Sequence, residues 1–208
     1  LITIIDYGMG NPESIKNMIK KAGGRAEITT NKDKIAEATA LILPGVGHFG
    51  TAMNLIRNQG FKEIMDKKIK EENTPLLGVC LGMQLLFDHS EEGDSTGLGY
   101  ISGEVKKFNF TDTSLKIPHM GWSEIDIKKS SVLFDPYAAE NPRFYFVHSY
   151  YVSCKEASDV LATCNYGNDF DCAVQKGNVT GVQFHPEKSH RFGLEFFKKY
   201  LEKNAEFA

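Results

Sequence analysis

The chain has 208 residues, 41% of them hydrophobic and 25% charged, the profile of a globular protein rather than a disordered one. Its 24 basic and 27 acidic residues leave a formal charge of −3, without the basic excess of a nucleic-acid binder. No apolar run approaches the roughly 18 residues of a membrane span.

A chain of this length buries roughly 70% of its unfolded surface on folding. One domain over residues 1–208 is therefore expected, with the cytoplasm as the default compartment. The four cysteines, Cys80, Cys154, Cys164 and Cys172, contain no C-x-x-C pair and no zinc spacing. Reduced thiols are expected, with no metal and no cofactor.

In chain order, "LITIID" reads as a strand, without the basic leader and long apolar middle of a signal peptide. "PESIKNMIKKAGG" places Ile15, Met18, Ile19 and Ala22 on one helical face, with Asn11 as N-cap, Pro12 at the first position and Gly23 as the stop. "ATALILPG" is a buried strand ending at Pro44, and "MNLIRNQGFKEIMDKKIKEE" is a helix broken near Gly60. "PLLGVC" is a second buried strand, and "GMQLLFDHS" a short helix. This alternation predicts βαβ units and a largely parallel sheet.

After residue 90 the pattern becomes shorter strands joined by turns: "GEVKKFNF", "SEIDIKKSSVLF", "RFYFVHSYYVS", "DVLATCNYG" and "FDCAVQKGNVTGVQFH". The final "SHRFGLEFFKKYLEKN" returns to a helix, with Phe192, Phe196 and Tyr200 on a common face. The whole is read as one α/β domain whose second half adds antiparallel strands.

Three stretches carry candidate chemistry. "GVCLG" sets Cys80 between two glycines at a strand-to-helix turn, the form of a nucleophile elbow. Such a turn strains the cysteine backbone and presents the sulfur at a helix N-terminus, with the Leu81 N–H free for an oxyanion. The competing reading of Cys80 is a buried core thiol. "GVQFHPEKSH" ends a strand at His185, and Pro186 turns the chain so that Glu187 can hold the imidazole. "LPGVGHFG" follows a strand with three glycines in six residues, suited either to pointing amides into a cleft or to a plain turn. "YGMGNPE" imitates half of a dinucleotide fingerprint but has Glu13 at the third glycine's place. The other histidines, among them His48, His119 and His148, lack metal-ligand spacing and are expected in structural or interface roles.

Together, "PGVGHFG", "GVCLGMQLLF", "GLGYISGEV", "PHMGW", "YFVHSYY" and "GVQFHPEKS" resemble, in order and spacing, the class I glutamine amidotransferases. Within that class they look most like the glutaminase subunits of imidazole glycerol phosphate synthases. The resemblance runs from residue 2 to the last helix. It implies a three-layer, flavodoxin-like α/β fold and a Cys80–His185–Glu187 triad that hydrolyses L-glutamine to glutamate and ammonia. It places oxyanion and substrate contacts at Gly45, Val46, Gly47, Leu81, Gln84, Ser149 and Tyr150. It also implies a heterodimer with a (β/α)₈ cyclase that receives the ammonia in histidine biosynthesis. Asn11, Trp122, Tyr145 and Lys188 would face that partner, Trp122 being either an anchor in a turn or a core residue.

The chain departs from the resembled pattern at Pro12-Glu13-Ser14, where Leu-Arg-Ser is usual, and at Ser123, where asparagine is usual. Both lie on the expected partner face and spare the triad. One alternative is therefore a second-copy glutaminase supplying a different synthase, as for surface-sugar modification. The others are a self-sufficient cysteine hydrolase of the γ-glutamyl hydrolase kind, against which "PHMGW" and "PGVG" argue, and a silent regulatory subunit.

Overall fold

The computed structural model describes residues 1–111, 114–137 and 142–204; the last four residues of the expected domain lie outside this range. The first half comprises β1 (Ile2–Ile5), α1 (Pro12–Lys21), β2 (Ala26–Thr29), α2 (Lys32–Ala36), β3 (Ala40–Leu43), α3 (Phe49–Asn58), α4 (Phe61–Asp66), β4 (Leu76–Val79) and α5 (Leu81–Gln84). A single π-helical stretch, Lys67–Glu71, extends α4. Seven strands follow: β5 (His89–Ser90), β6 (Ser95–Thr96), β7 (Gly103–Lys107), β8 (His119–Glu124), β9 (Asp126–Ile127), β10 (Arg143–His148) and β11 (Tyr150–Cys154). The chain closes with β12 (Val160–Tyr166), β13 (Asn168–Lys176), β14 (Val179–Val182) and α6 (His190–Lys203).

The main sheet runs β2-β1-β3-β4-β14-β13-β11-β7-β5-β6, with β12 and β9 branching from β13. From β2 to β14 the pairs are parallel; β13, β11 and β7 then add antiparallel pairs. The central strands β1, β3, β4 and β14 are buried along their whole length, as strands covered on both faces require. Two apolar cores lie on the two faces. One packs Ile15, Ile19, Phe196 and Phe197 of α1 and α6, the other Phe49, Ile56, Phe61 and Met65 of α3 and α4. This is the three-layer α/β arrangement the sequence predicts.

Local signals hold where they were strongest. Asn11 Oδ1 accepts from Ser14 N–H at 3.2 Å, Pro12 opens α1, and Gly23 follows its end at φ +95°. The helix after Pro44 breaks at Gly60, which is left-handed at φ +67°. Gly167 and Gly177 occupy the β12–β13 and β13–β14 turns, both at positive φ.

Three expectations need correction. The helix after Cys80 is a single turn, and His89 and Ser90 form a strand edge instead. "SSVLF" is not a strand: Leu133 and Phe134 are buried in a turn leading to a 3-10 helix at Asp135–Tyr137. "PHMGW" is not a turn but the body of β8, which pairs with β10 so that Trp122 opposes Tyr145. Gly121 there has φ +137°, so the glycine read as a turn marker serves a bend inside a paired strand. No described helix is long and apolar enough to cross a membrane.

Candidate active site

Adjacent parallel strands β3, β4 and β14 each end at one of the three predicted motifs. Open α/β sheets collect their ligands at such carboxyl ends. Pro44 leaves β3, Cys80 leaves β4, and His185 lies just past β14.

Cys80 has φ +55° and ψ −112°, a conformation L-residues avoid unless their surroundings impose it. Its N–H donates to Val182 O at 2.8 Å, tying the elbow to β14. The flanking glycines are sterically obligatory. A β-carbon on Gly82 would stand 1.8 Å from Leu43 O, and one on Gly78 would stand 2.6 Å from Gly82 O. The strained sulfur-bearing residue is thus clamped between β3 and β14. Because α5 has only four residues, its dipole is small and the main charge partner of the sulfur is His185.

His185 and Glu187 are 2% and 4% exposed. His185 Nδ1–H donates to Glu187 Oε1 at 2.7 Å, across the 3-10 turn that Pro186 opens. Burial alone would lower the histidine pKa, but the charge of Cys80 and the Glu187 carboxylate outweigh it and raise it to about 10. The ring is therefore an imidazolium at neutral pH. Its Nε2 makes no hydrogen bond of ordinary geometry, although the Cys80 sulfur interacts with the ring strongly enough to stabilise its charge. The His185 N–H donates to Tyr145 O at 2.9 Å, and Ser189 Oγ–H donates to His185 O at 2.6 Å. Stacking of Phe184 on Phe144 at 3.9 Å fixes the preceding strand end.

The glycine loop packs against the elbow. A β-carbon on Gly45 would lie 2.7 Å from the Tyr7 hydroxyl and 2.9 Å from Gly82 N. The same Tyr7 hydroxyl donates to Pro44 O at 2.8 Å. Gly47 has φ +121°, with Met9 filling the space a side chain would need. Val46, Gly47, Cys80, Leu81, Gln84, Ser149 and Tyr150 line one pocket of about 220 Å³. That is below the range of about 300–1,000 Å³ typical of drug-sized ligands and suits a small metabolite.

Several site residues were not singled out by sequence. Glu92 lines the pocket and accepts from Phe49 N–H at 2.8 Å. Gln183, fully buried, bridges Gln84 at 2.9 Å and reaches the Cys80 sulfur at 3.7 Å. A buried glutamine in the last turn of an apolar run was the available signal. His148 lines the pocket as well.

A larger cavity, about 840 Å³, lies at Glu124–Ile127, Phe134, Asp135 and Cys164. Its one thiol is pushed up to about 12 by burial, and no histidine is among its lining residues. Size alone does not make it the catalytic site.

Trp122, Tyr145 and Lys188 cluster beside the turn that carries His185 and Glu187. Trp122 meets the Tyr145 ring edge-on at 6.2 Å and stacks on His190 at 5.4 Å, and Lys188 Nζ lies 5.9 Å from the centre of the Tyr145 ring. Trp122 is 45% and Met120 62% exposed, so the tryptophan is not a core residue. Asn11 stays apart from this cluster as the cap of α1, whose helix packs against the 3-10 turn that carries Lys188.

The sequence model of the class-I glutamine amidotransferases matches residues 3–203. The chain belongs to this family. Among family members, the imidazole glycerol phosphate synthase subunit HisH 2 of Methanococcus maripaludis is 50% identical, over 97% of this chain and 98% of its own length. Subunit HisH of Leptospira borgpetersenii is 43% identical over 96% and 98% of the two chains, and HisH 2 of Pseudomonas aeruginosa 43% over 97% and 99%. A crystal structure of a glutamine amidotransferase superposes with a TM-score of 0.76, covering 98% of both chains at 20% identity, a likeness of fold.

Proposed function

We propose that this chain is the glutaminase subunit of an imidazole glycerol phosphate synthase, hydrolysing glutamine and handing the ammonia to a (β/α)₈ cyclase in histidine biosynthesis. The observation that carries the chemistry is a positive-φ cysteine that lines a small pocket and interacts with a buried, hydrogen-bonded His185–Glu187 pair. The observation that carries the pathway is the 50% identity to a synthase subunit over nearly the full chain.

In this reading Cys80 Sγ attacks the glutamine carboxamide carbon, and the C=O electrons move onto oxygen. The amides of Leu81 and of Val46–Gly47 receive that oxyanion, and Gly45 keeps the loop against the elbow. The His185 imidazolium gives its Nε2 proton to the departing amine as the C–N bond breaks, leaving a glutamyl thioester and ammonia. A water then adds to the thioester while neutral His185 takes its proton, and collapse releases glutamate and restores Cys80. Glu187 keeps the ring oriented and stabilises its positive form. Gln84 and the Ser149–Tyr150 backbone wall the pocket, with the Glu92 carboxylate available to an α-ammonium.

The exposed Met120–Trp122 edge, Tyr145, Lys188 and Asn11 form the face offered to the cyclase. A lone half-exposed tryptophan surrounded by packed rings is a suitable anchor for such an interface. A second reading keeps the glutaminase and changes the synthase. It is favoured by Pro12 and Glu13, which stand beside Asn11 where leucine and arginine are usual.

A glutamine-like electrophile tests the catalytic reading. It should modify Cys80 selectively over Cys154, Cys164 and Cys172, with glutamine protecting. Labelling spread evenly over the thiols would contradict a glutaminase and favour a silent subunit. Binding of the histidine-pathway cyclase then decides between the two synthases.

A further inference from the structure

We propose that Ser123, His119 and His148 form a positioning relay of hydrogen bonds that fixes the Tyr150 carbonyl, and with it the Ser149–Tyr150 wall of the glutamine pocket. The relay rests on the reading of that pocket as the glutamine site. Its outer end lies on β8, the strand that exposes Met120 and Trp122.

The proton positions follow from the last acceptor. His148 Nδ1 lies 2.7 Å from Tyr150 O, a carbonyl that only accepts, so Nδ1 carries the proton. His148 Nε2, 3.0 Å from His119 Nδ1, is then the acceptor, and His119 Nδ1 donates. His119 Nε2 is left to accept from the Ser123 hydroxyl at 2.8 Å. Every ring nitrogen is used once and the direction is unique. Burial lowers the pKa of His119 to about 4 and of His148 to about 3, so both rings stay neutral around pH 7 and the polarity persists.

The geometry is built for this purpose. His119 and His148 are directly opposed across β8 and β10. His119 is held flat between Phe146 and Tyr166, with ring centres at 4.9 and 4.1 Å. Four residues of straight strand would separate residues 119 and 123 by roughly 13 Å, too far for their side chains to meet. Gly121 at φ +137° lies between them, where a side chain would oppose that backbone. At the inner end, Tyr150 O also accepts from Gln84 Nε2 at 2.9 Å, so the relay and the pocket glutamine converge on one oxygen. Asparagine at position 123 would also supply a donor to His119, whereas alanine would not.

The test uses the full chain alone. Iodoacetamide alkylates Cys80, and the glutamine concentration giving half-protection reports pocket affinity. Ser123→Ala should raise that concentration about 2- to 10-fold, the worth of one hydrogen bond. Ser123→Asn should stay near the parent value, and the alkylation rate without glutamine should match the parent in both. Nitrogen NMR should show both His119 and His148 protonated at Nδ1 and bare at Nε2. Parent-like protection in Ser123→Ala, failure of Ser123→Asn to rescue, an equal change in bare alkylation rate, or a bare Nδ1 on either ring would overturn the relay. Absence of glutamine protection in the parent chain would instead overturn the pocket assignment.

Discussion

His185 concentrates the chemistry of the site, because Cys80 and Glu187 both favour the charged form of a buried ring. Removing one support should show directly. In Cys80→Ala the His185 pKa is expected to fall below the parent's value of about 10, since the Cys80 charge is a principal raising cause. Carbon-detected NMR titration of the ring measures this, and an unchanged pKa would deny that the sulfur is its partner. The sign for stability follows. A histidine raised from 6.5 to about 10 contributes stability that is fully present below pH 6.5 and lost as pH climbs through 10. Part of the parent's stability should therefore disappear between those limits and be smaller in Cys80→Ala. Glu187→Gln keeps the shape but not the charge, and turnover should drop by about 10²–10⁴. These positions were legible because glycines flank Cys80 at 78 and 82 and Pro186 follows His185, each at the end of an apolar run. Gln183 gave only a weak sign, a polar residue between Val182 and Phe184, because its burial just past β14 depends on the assembled sheet.

At the level of elements, the elbow is one of the tightest backbone crossings among the described residues. Gly82→Ala would drive a methyl group into the Leu43 carbonyl of a buried strand, which cannot retreat. It should destabilise the fold by about 3 kcal/mol or more. Gly177→Ala, at φ +56° with open space around it, should cost only about 1–2 kcal/mol from backbone strain. Denaturant unfolding of the pair measures both, and equal costs would mean the elbow glycine is not sterically required. Helices with caps and fully apolar strands could be read directly from the chain. The short β2 and α2 went unremarked because β2 is only half-buried, so its residues carry no strong alternation. The β8 strand was hidden by Gly121, and α5 looked longer because the buried Leu85, Leu86 and Phe87 continue an apolar pattern after the helix ends.

Across the whole molecule, three parallel strands deliver loop, nucleophile and base to one edge, and the next antiparallel strands supply the pocket wall. The face proposed for the partner lies beside the His185–Glu187 turn, where Trp122, Tyr145, Lys188 and His190 pack together. Trp122→Ala should leave the thermal midpoint of the free chain nearly unchanged, because the ring is 45% exposed. It should weaken cyclase binding by about 2 kcal/mol or more, roughly 30-fold. Titration calorimetry measures the difference, and unaltered affinity would move the interface elsewhere. The fold and the elbow were legible from motifs because backbone sterics demand glycine at positions 78 and 82. The exposure of Trp122 was not legible, since exposure is a property of the assembled sheet.

The most direct measurement is glutamate release from glutamine by the chain with the histidine-pathway cyclase and its nucleotide ligand added, alongside Cys80→Ala. Release should be low from the chain alone, strongly stimulated by the cyclase, and absent from Cys80→Ala under either condition. Release that survives in Cys80→Ala would contradict the glutaminase mechanism at its root.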